Sequence, residues 1–208
     1  MKSFDPFQPG VMPRSRISTR GMALVSLAAV LTAAGGKISV PLPFGPVPMT
    51  LQTAVVLGSG VLLGARRGAA AMTLYMLLGI VGLPVFANGG GIQSVLSPSF
   101  GFVIGFIPAA WLTGRIFEVS VQQAERLGRA ARAELAARAV SCLAGMAVYD
   151  AIGVLGLYLN INYVMGHATG LHGAVTMGLL PFILPDLLKI GAVVAVSSIL
   201  SRRTRPPG

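Results

Sequence analysis

Residues 179–200 read LLPFILPDLLKIGAVVAVSSIL, and only Asp186 and Lys189 in that run are ionisable. A hydrocarbon core of about 30 Å takes roughly 20 mostly apolar residues to cross as a helix, so this stretch is expected to span a bilayer. Working back along the chain, five more apolar stretches can be drawn: Leu135 to Tyr158, Gly101 to Phe117, Gly68 to Leu83, Leu51 to Ala65 and Gly21 to Gly36. The second and third in chain order are short, so they are expected to be tilted, broken or sheltered by neighbours. The whole chain agrees. Of its 208 residues 54% are hydrophobic and 11% charged, with a mean hydropathy of +0.77, too few polar groups to cover a water-soluble domain of this size. The expectation is an all-α membrane protein with six transmembrane helices over residues 21–200, flanked by an N-terminal tail (1–20) and a C-terminal tail (201–208).

The charges orient the bundle. Lys2, Arg14, Arg16 and Arg20 precede the first span, Arg66 and Arg67 separate the second and third, Arg115, Arg126, Arg129, Arg132 and Arg138 surround the fourth-to-fifth connection, and Arg202, Arg203 and Arg205 end the chain. With six spans these all fall on one side, which the positive-inside rule makes the cytoplasm, together with both termini. The net charge of +10 is distributed in this way and does not form the basic, aromatic-interleaved module of a nucleic-acid reader. Met1 to Arg20 shows no small-residue cleavage site and reads as a retained cytoplasmic tail. Only Lys37 and Lys189 stand apart from the basic side.

Three connections on the outer side, Lys37 to Thr50, Pro84 to Phe100 and Asn160 to Gly178, are rich in Gly, Pro, Asn and Ser and nearly uncharged. Such segments suit a lid folded over a cavity. Pro41, Pro43, Pro46 and Pro48 exclude a helix in the first of them. The inner segment Val119 to Glu134 is amphipathic and basic, as expected of a helix at an anionic lipid surface. Gly60, Gly64 and Gly68, Gly101 with Gly105, and Ala29 with Ala33 are small-residue steps that permit close helix contact, inside the bundle or with an external partner.

Ionisable groups within spans are costly and few. Asp186 and Lys189, three apart, project from nearly the same helical face and can pair with each other or offer an acceptor and a cationic donor to a ligand. Asp150 is a second acid in an apolar setting, either packing polarity or support for a site. Tyr149 beside it is a core ring or a ligand wall. Asn88, after the helix-breaking run Gly82-Leu83-Pro84, and Thr50 and Gln52, after the proline loop, supply neutral hydrogen-bonding groups for an uncharged polar ligand head.

Catalysis finds little support. Gly58-Ser59-Gly60 with His167 and His172 resembles the nucleophile turn of an intramembrane serine protease, but Leu57 stands where that motif needs glycine. No metal-ligand or phosphate-loop spacing occurs. Cys142 cannot form an internal disulfide, being the one cysteine. An enzyme is not expected, nor is a resident metal or cofactor; a ligandless structural bundle and the protease are the competing readings.

Four segments in order carry a resemblance: Gly45-Pro46-Val47-Pro48-Met49-Thr50-Leu51-Gln52-Thr53, Gly79 to Ala87 followed by glycines, Pro98-Ser99-Phe100-Gly101-Phe102-Val103-Ile104-Gly105-Phe106, and Leu184-Pro185-Asp186-Leu187-Leu188-Lys189. Together they resemble the BioY family, the substrate-binding S components of energy-coupling factor (ECF) biotin transporters. The resemblance runs from Gly21 to Leu200. It implies a prokaryotic plasma-membrane subunit that binds biotin near the outer face and is energised by a transmembrane coupling subunit and cytoplasmic ATPases. It further implies a docking surface at Ala29 and Ala33, and some members are thought to work without the energising module. Pro185 and Phe102 depart from the family pattern, which often has glycine and tyrosine there. On this resemblance Asp186 accepts from a ureido N–H or orders Lys189; Lys189, or a neutral set including Asn88 and Gln52, meets the remaining oxygens; and Tyr149 covers the rings.

Overall fold

The computed structural model describes residues 18–43, 45–126 and 130–204. Lys2, Arg14, Arg16, Arg129 and Arg205, and most of both expected tails, lie outside the described residues. Seven α-helices and one two-stranded ribbon follow in order: α1 (Thr19–Lys37), β1 (Ser39–Val40), β2 (Met49–Thr50), α2 (Gln52–Leu63), α3 (Ala65–Val81), α4 (Phe100–Arg126), α5 (Ala130–Leu159), α6 (Leu171–Gly178) and α7 (Ile183–Thr204). A 3₁₀ turn, Ile92–Leu96, precedes α4, and a π-helical turn, Asn160–Val164, extends α5.

Among the described residues, four helices are long and apolar enough to cross a membrane: α1, α4 over Phe100–Ala124, α5 with its extension over Glu134–Val164, and α7 over Ile183–Ser201. The twelve residues of α2 reach only about 18 Å and the seventeen of α3 about 26 Å at 1.5 Å per residue, in keeping with the shortness of those two stretches in the sequence. The outward faces of the helices remain apolar: Val81 is 84% exposed, Leu188 69% and Val30 61%. Helices apolar all round are stable where the surrounding solvent is hydrocarbon.

Close packing depends on missing side chains. A Cβ on Gly156 of α5 would lie 2.5 Å from the Gly101 Cα of α4, and one on Gly60 of α2 would lie 2.6 Å from the Ala110 carbonyl oxygen. A Cβ on Gly68 of α3 would lie 3.2 Å from the Gly60 Cα. These steps therefore serve the interior of the bundle. Gly64 serves the chain path instead. With φ of 81° it turns α2 into α3, and the Ala65 amide donates to the Glu118 carboxylate of α4 at 3.0 Å.

One cation departs from its expected setting. Arg138, grouped with the solvated charges around the α4–α5 connection, is 5% exposed. Its guanidinium donates to Glu134 at 2.7 Å, Ser198 at 3.1 Å and Ser201 at 2.7 Å and lies over the Phe117 ring. It fastens α5 to α4 and α7, a pairing a planar five-donor fork can satisfy where a loop cation would stay in water.

The three connections expected on the outer side are built of non-helical and short elements. The proline loop is closed by an antiparallel ribbon in which Ser39 pairs with Thr50 and Val40 with Met49. The second connection holds a tight turn, Phe86 to Gly89, closed by two backbone bonds of 2.9 and 3.2 Å. The third contains a short helix that its glycine-rich sequence does not announce, α6, packed on α5.

Candidate ligand-binding site

Where α1 and α3 end and α2 and α4 begin, a cavity of about 200 Å³ opens beneath the two loops. Its polar floor starts with Gln52, the first residue of α2 and 5% exposed. The Gln52 amide nitrogen donates to the Tyr75 hydroxyl of α3 in a short contact, and Tyr75 donates in turn to the Val85 carbonyl at 3.3 Å. Thr50 donates to the Gln52 side-chain oxygen at 3.3 Å. Gly36 admits this arrangement, since a Cβ there would come within 2.8 Å of the Gln52 amide nitrogen.

Aromatic rings form the walls. Tyr149 of α5 stacks on Phe106 of α4 with centroids 5.6 Å apart and planes 12° from parallel, and it meets Phe102 at 5.2 Å. Phe86 packs edge-on to Tyr75 at 5.5 Å. Its ring occupies the space beside Gly79, where a Cβ would lie 2.0 Å from it. Asn88 stands exposed at the mouth, with Ser97 and Ser99, whose hydroxyls are 2.8 Å apart, also on the lining. Every described lining residue is neutral.

Of the six expected ligand-binding residues, the structure brings Gln52, Thr50, Asn88 and Tyr149 to this one cavity. Asp186 and Lys189 are not among the residues lining it. They project together from the first turns of α7, and Pro185 sits in the first turn without disturbing that face. The Lys189 ammonium donates to Asp186 at 2.7 Å and to Thr53 at 3.1 Å, and the Thr53 hydroxyl reaches Asp186 at 3.5 Å. The two residues are 4% and 9% exposed. Thr53 follows Gln52 on α2, so the triad adjoins the polar floor of the cavity. One carboxylate oxygen of Asp150 is buried without a hydrogen-bond partner.

Tyr75, Phe86, Phe102 and Phe106 complete the site; Phe102 is marked in the sequence only as standing where the family often has tyrosine, and Phe86 and Phe106 are not marked individually. A hydroxyl within the apolar run of α3 is the available signal for Tyr75. Ala29 is 2% exposed, turned against the neighbouring helices, whereas Ala33 is partly exposed. The Ser59 hydroxyl is committed to the Val56 carbonyl at 2.7 Å. His167 follows the π turn and His172 opens α6, in the connections at the cavity end.

A bundle of apolar helices with a neutral, aromatic-walled cavity at one end, under short folded loops, is the architecture of a multi-pass membrane protein with an enclosed pocket. The chain belongs to the BioY family, whose model matches residues 12–206. It is 40% identical over 175 residues to a biotin transporter BioY of Rhodobacter capsulatus, covering 82% of this chain and 87% of the relative. It is 33% identical over 180 residues to a biotin transporter BioY of Thermotoga maritima, covering 85% and 94%. The fold matches a crystal structure of the S-component for biotin from an ECF-type ABC transporter with a TM-score of 0.72, at 24% identity over 88% of this chain and 91% of that one.

Proposed function

We propose that this chain is a transporter subunit, not an enzyme, that binds biotin in the cavity between the Gln52–Tyr75 pair and the Phe106–Tyr149 stack. The observation that carries this reading is the neutrality of the lining combined with its aromatic walls. Biotin has an uncharged ureido group that needs both donors and acceptors, and an apolar thioether ring that suits stacked aromatics. Gln52, Thr50, Tyr75 and Asn88 supply the hydrogen bonds, and the rings cover the bicycle. The Asp186–Lys189–Thr53 triad either orders Gln52 and Tyr149 from behind or opens to contribute a charge-assisted bond to the ligand.

The wider reading has six spans, α1, α2, α3, α4, α5 and α7, with both termini in the cytoplasm of a prokaryote and the cavity facing outward. The described lysines and arginines support it: Arg66, Arg67, Arg126 and Arg138 lie at the end opposite the cavity, where the positive-inside rule places them. The neighbouring helices α1, α3, α4, α5 and α7 shelter the short α2. Uptake is energised by an ECF coupling subunit, which docks along α1, and by cytoplasmic ATPases.

Isothermal titration of biotin into the detergent-purified chain tests the binding claim. Gln52→Leu removes both amide functions and the bond the Tyr75 hydroxyl accepts, so the expected loss is about 1 to 3 kcal/mol, a roughly tenfold to hundredfold weaker Kd. Unchanged affinity would place the ureido group elsewhere, and no heat from the unsubstituted chain would remove biotin as the ligand.

A further inference from the structure

Biotin carries a carboxylate, yet no described residue lining the cavity carries a charge. Among the described residues, the lysines and arginines at the cavity end of the bundle are Lys37 and Lys189; Arg20, Arg66, Arg67, Arg115, Arg126 and Arg138 all belong to the other half of their helices or to its turns. Lys189 is buried and committed to Asp186 and Thr53. Lys37 is the last residue of α1, exposed, and its ammonium donates to the Phe86 carbonyl at 3.3 Å. That bond brings a positive charge to the rim, because Phe86 is itself a wall of the cavity and begins the turn that carries Asn88. The preceding residue, Gly36, abuts both the Gln52 amide and the Val85 carbonyl, so the end of α1 is fixed against the floor, and Lys37, not itself a lining residue, holds its ammonium at the carbonyl of a residue that is.

We infer that Lys37 is the residue that selects the ligand's carboxylate, meeting it at the mouth while the bicycle lies deeper between Gln52, Tyr75 and Tyr149. This rests on the biotin reading above. The ammonium has three donors and the Phe86 carbonyl takes one, so two remain for an anion. No described carboxylate competes at the rim: Asp186 is engaged with Lys189, and Asp150, in α5, is not among the lining residues. A cation on a flexible stem at a low-dielectric opening also draws an anionic ligand inward from solution. The same charge discriminates against uncharged analogues, which gain nothing from it.

Titration of biotin and of biotinamide, its uncharged carboxamide, into the purified full chain separates the possibilities when repeated with Lys37→Gln and Lys37→Arg. The expected result is a Kd for biotin weakened about fivefold to twentyfold by Lys37→Gln, with biotinamide changed by less than about twofold and Lys37→Arg restoring the preference. The wild-type preference for biotin is expected to shrink in about 1 M salt, where the Debye length is about 3 Å. Equal weakening of both ligands would overturn the inference, because Lys37 would then act only by holding the Phe86 turn. No change in either would also overturn it and leave the carboxylate to the neutral rim of Ser97 and Ser99. If the unsubstituted chain binds neither compound, the biotin reading falls and this inference with it; if it binds biotin while Lys37→Gln shows no selectivity change, only the inference falls.

Discussion

Lys189→Met, with Asp186 left in place, is expected to destabilise the bundle by about 3 to 5 kcal/mol, the usual cost of removing one partner of a buried ion pair. Asp186 is 4% exposed and takes its one charged partner from Lys189 at 2.7 Å. The Thr53 hydroxyl at 3.5 Å is too distant to replace it. The double substitution Asp186→Leu with Lys189→Met removes both charges and is expected to recover most of the loss, since apolar groups of similar volume often replace a buried pair without net cost. Thermal unfolding of the detergent-solubilised variants checks the order: the single variant lowest, the double variant near the parent. A single variant as stable as the parent would mean that Asp186 finds water or another cation. Biotin titration of the double variant then assigns the pair its part in binding. Full affinity would make the triad a fastening between α2 and α7, whereas loss of binding in a stable protein would place a charge on the ligand.

The same triad shows how far sequence reading reaches. Spacing within one helix puts Asp186 and Lys189 on a shared face, and that is where they stand. The partner on the other side, Thr53, is 136 residues from Lys189, and no local pattern encodes which helix lies opposite. Likewise the neutral groups Thr50, Gln52 and Asn88 can be recognised because each follows a break in helical structure. Tyr75 cannot, because its importance comes from the Gln52 amide across an interhelical gap. Glycine steps announce close packing, but their partners, Gly101 with Gly156 and Gly79 with the Phe86 ring, require the three-dimensional arrangement. Arg138 departs from expectation for a related reason: a cation near a helix end looks alike in sequence whether it faces water or, as here, two serines, a glutamate and an aromatic ring.

Ala33→Trp is expected to reduce biotin uptake to background in cells that also express the coupling subunit and ATPases, while the purified chain keeps its biotin affinity to within about twofold. The position is half-buried on α1 and packs against the core, and Val30, three residues back on the same side, is 61% exposed. A helix of the coupling subunit could lie against this face only if α1 stayed narrow there, because helices associate in lipid through close van der Waals contact and not through a hydrophobic drive. An indole ring at position 33 would hold the two apart, and Ala33 is not among the residues lining the ligand cavity. Ala29 answers differently although it is one turn away. At 2% exposure its methyl already fills the contact between α1 and the bundle, so Ala29→Trp is expected to overpack that contact, at a cost of about 1 to 3 kcal/mol, and to lower the melting temperature of the isolated chain. Uptake lost at position 33 with normal melting, beside reduced melting at position 29, would put the docking face on the outward side of α1. Wild-type uptake by the Ala33→Trp variant would move docking off this helix, since no bulky ring could be accommodated in a helix contact built on small side chains.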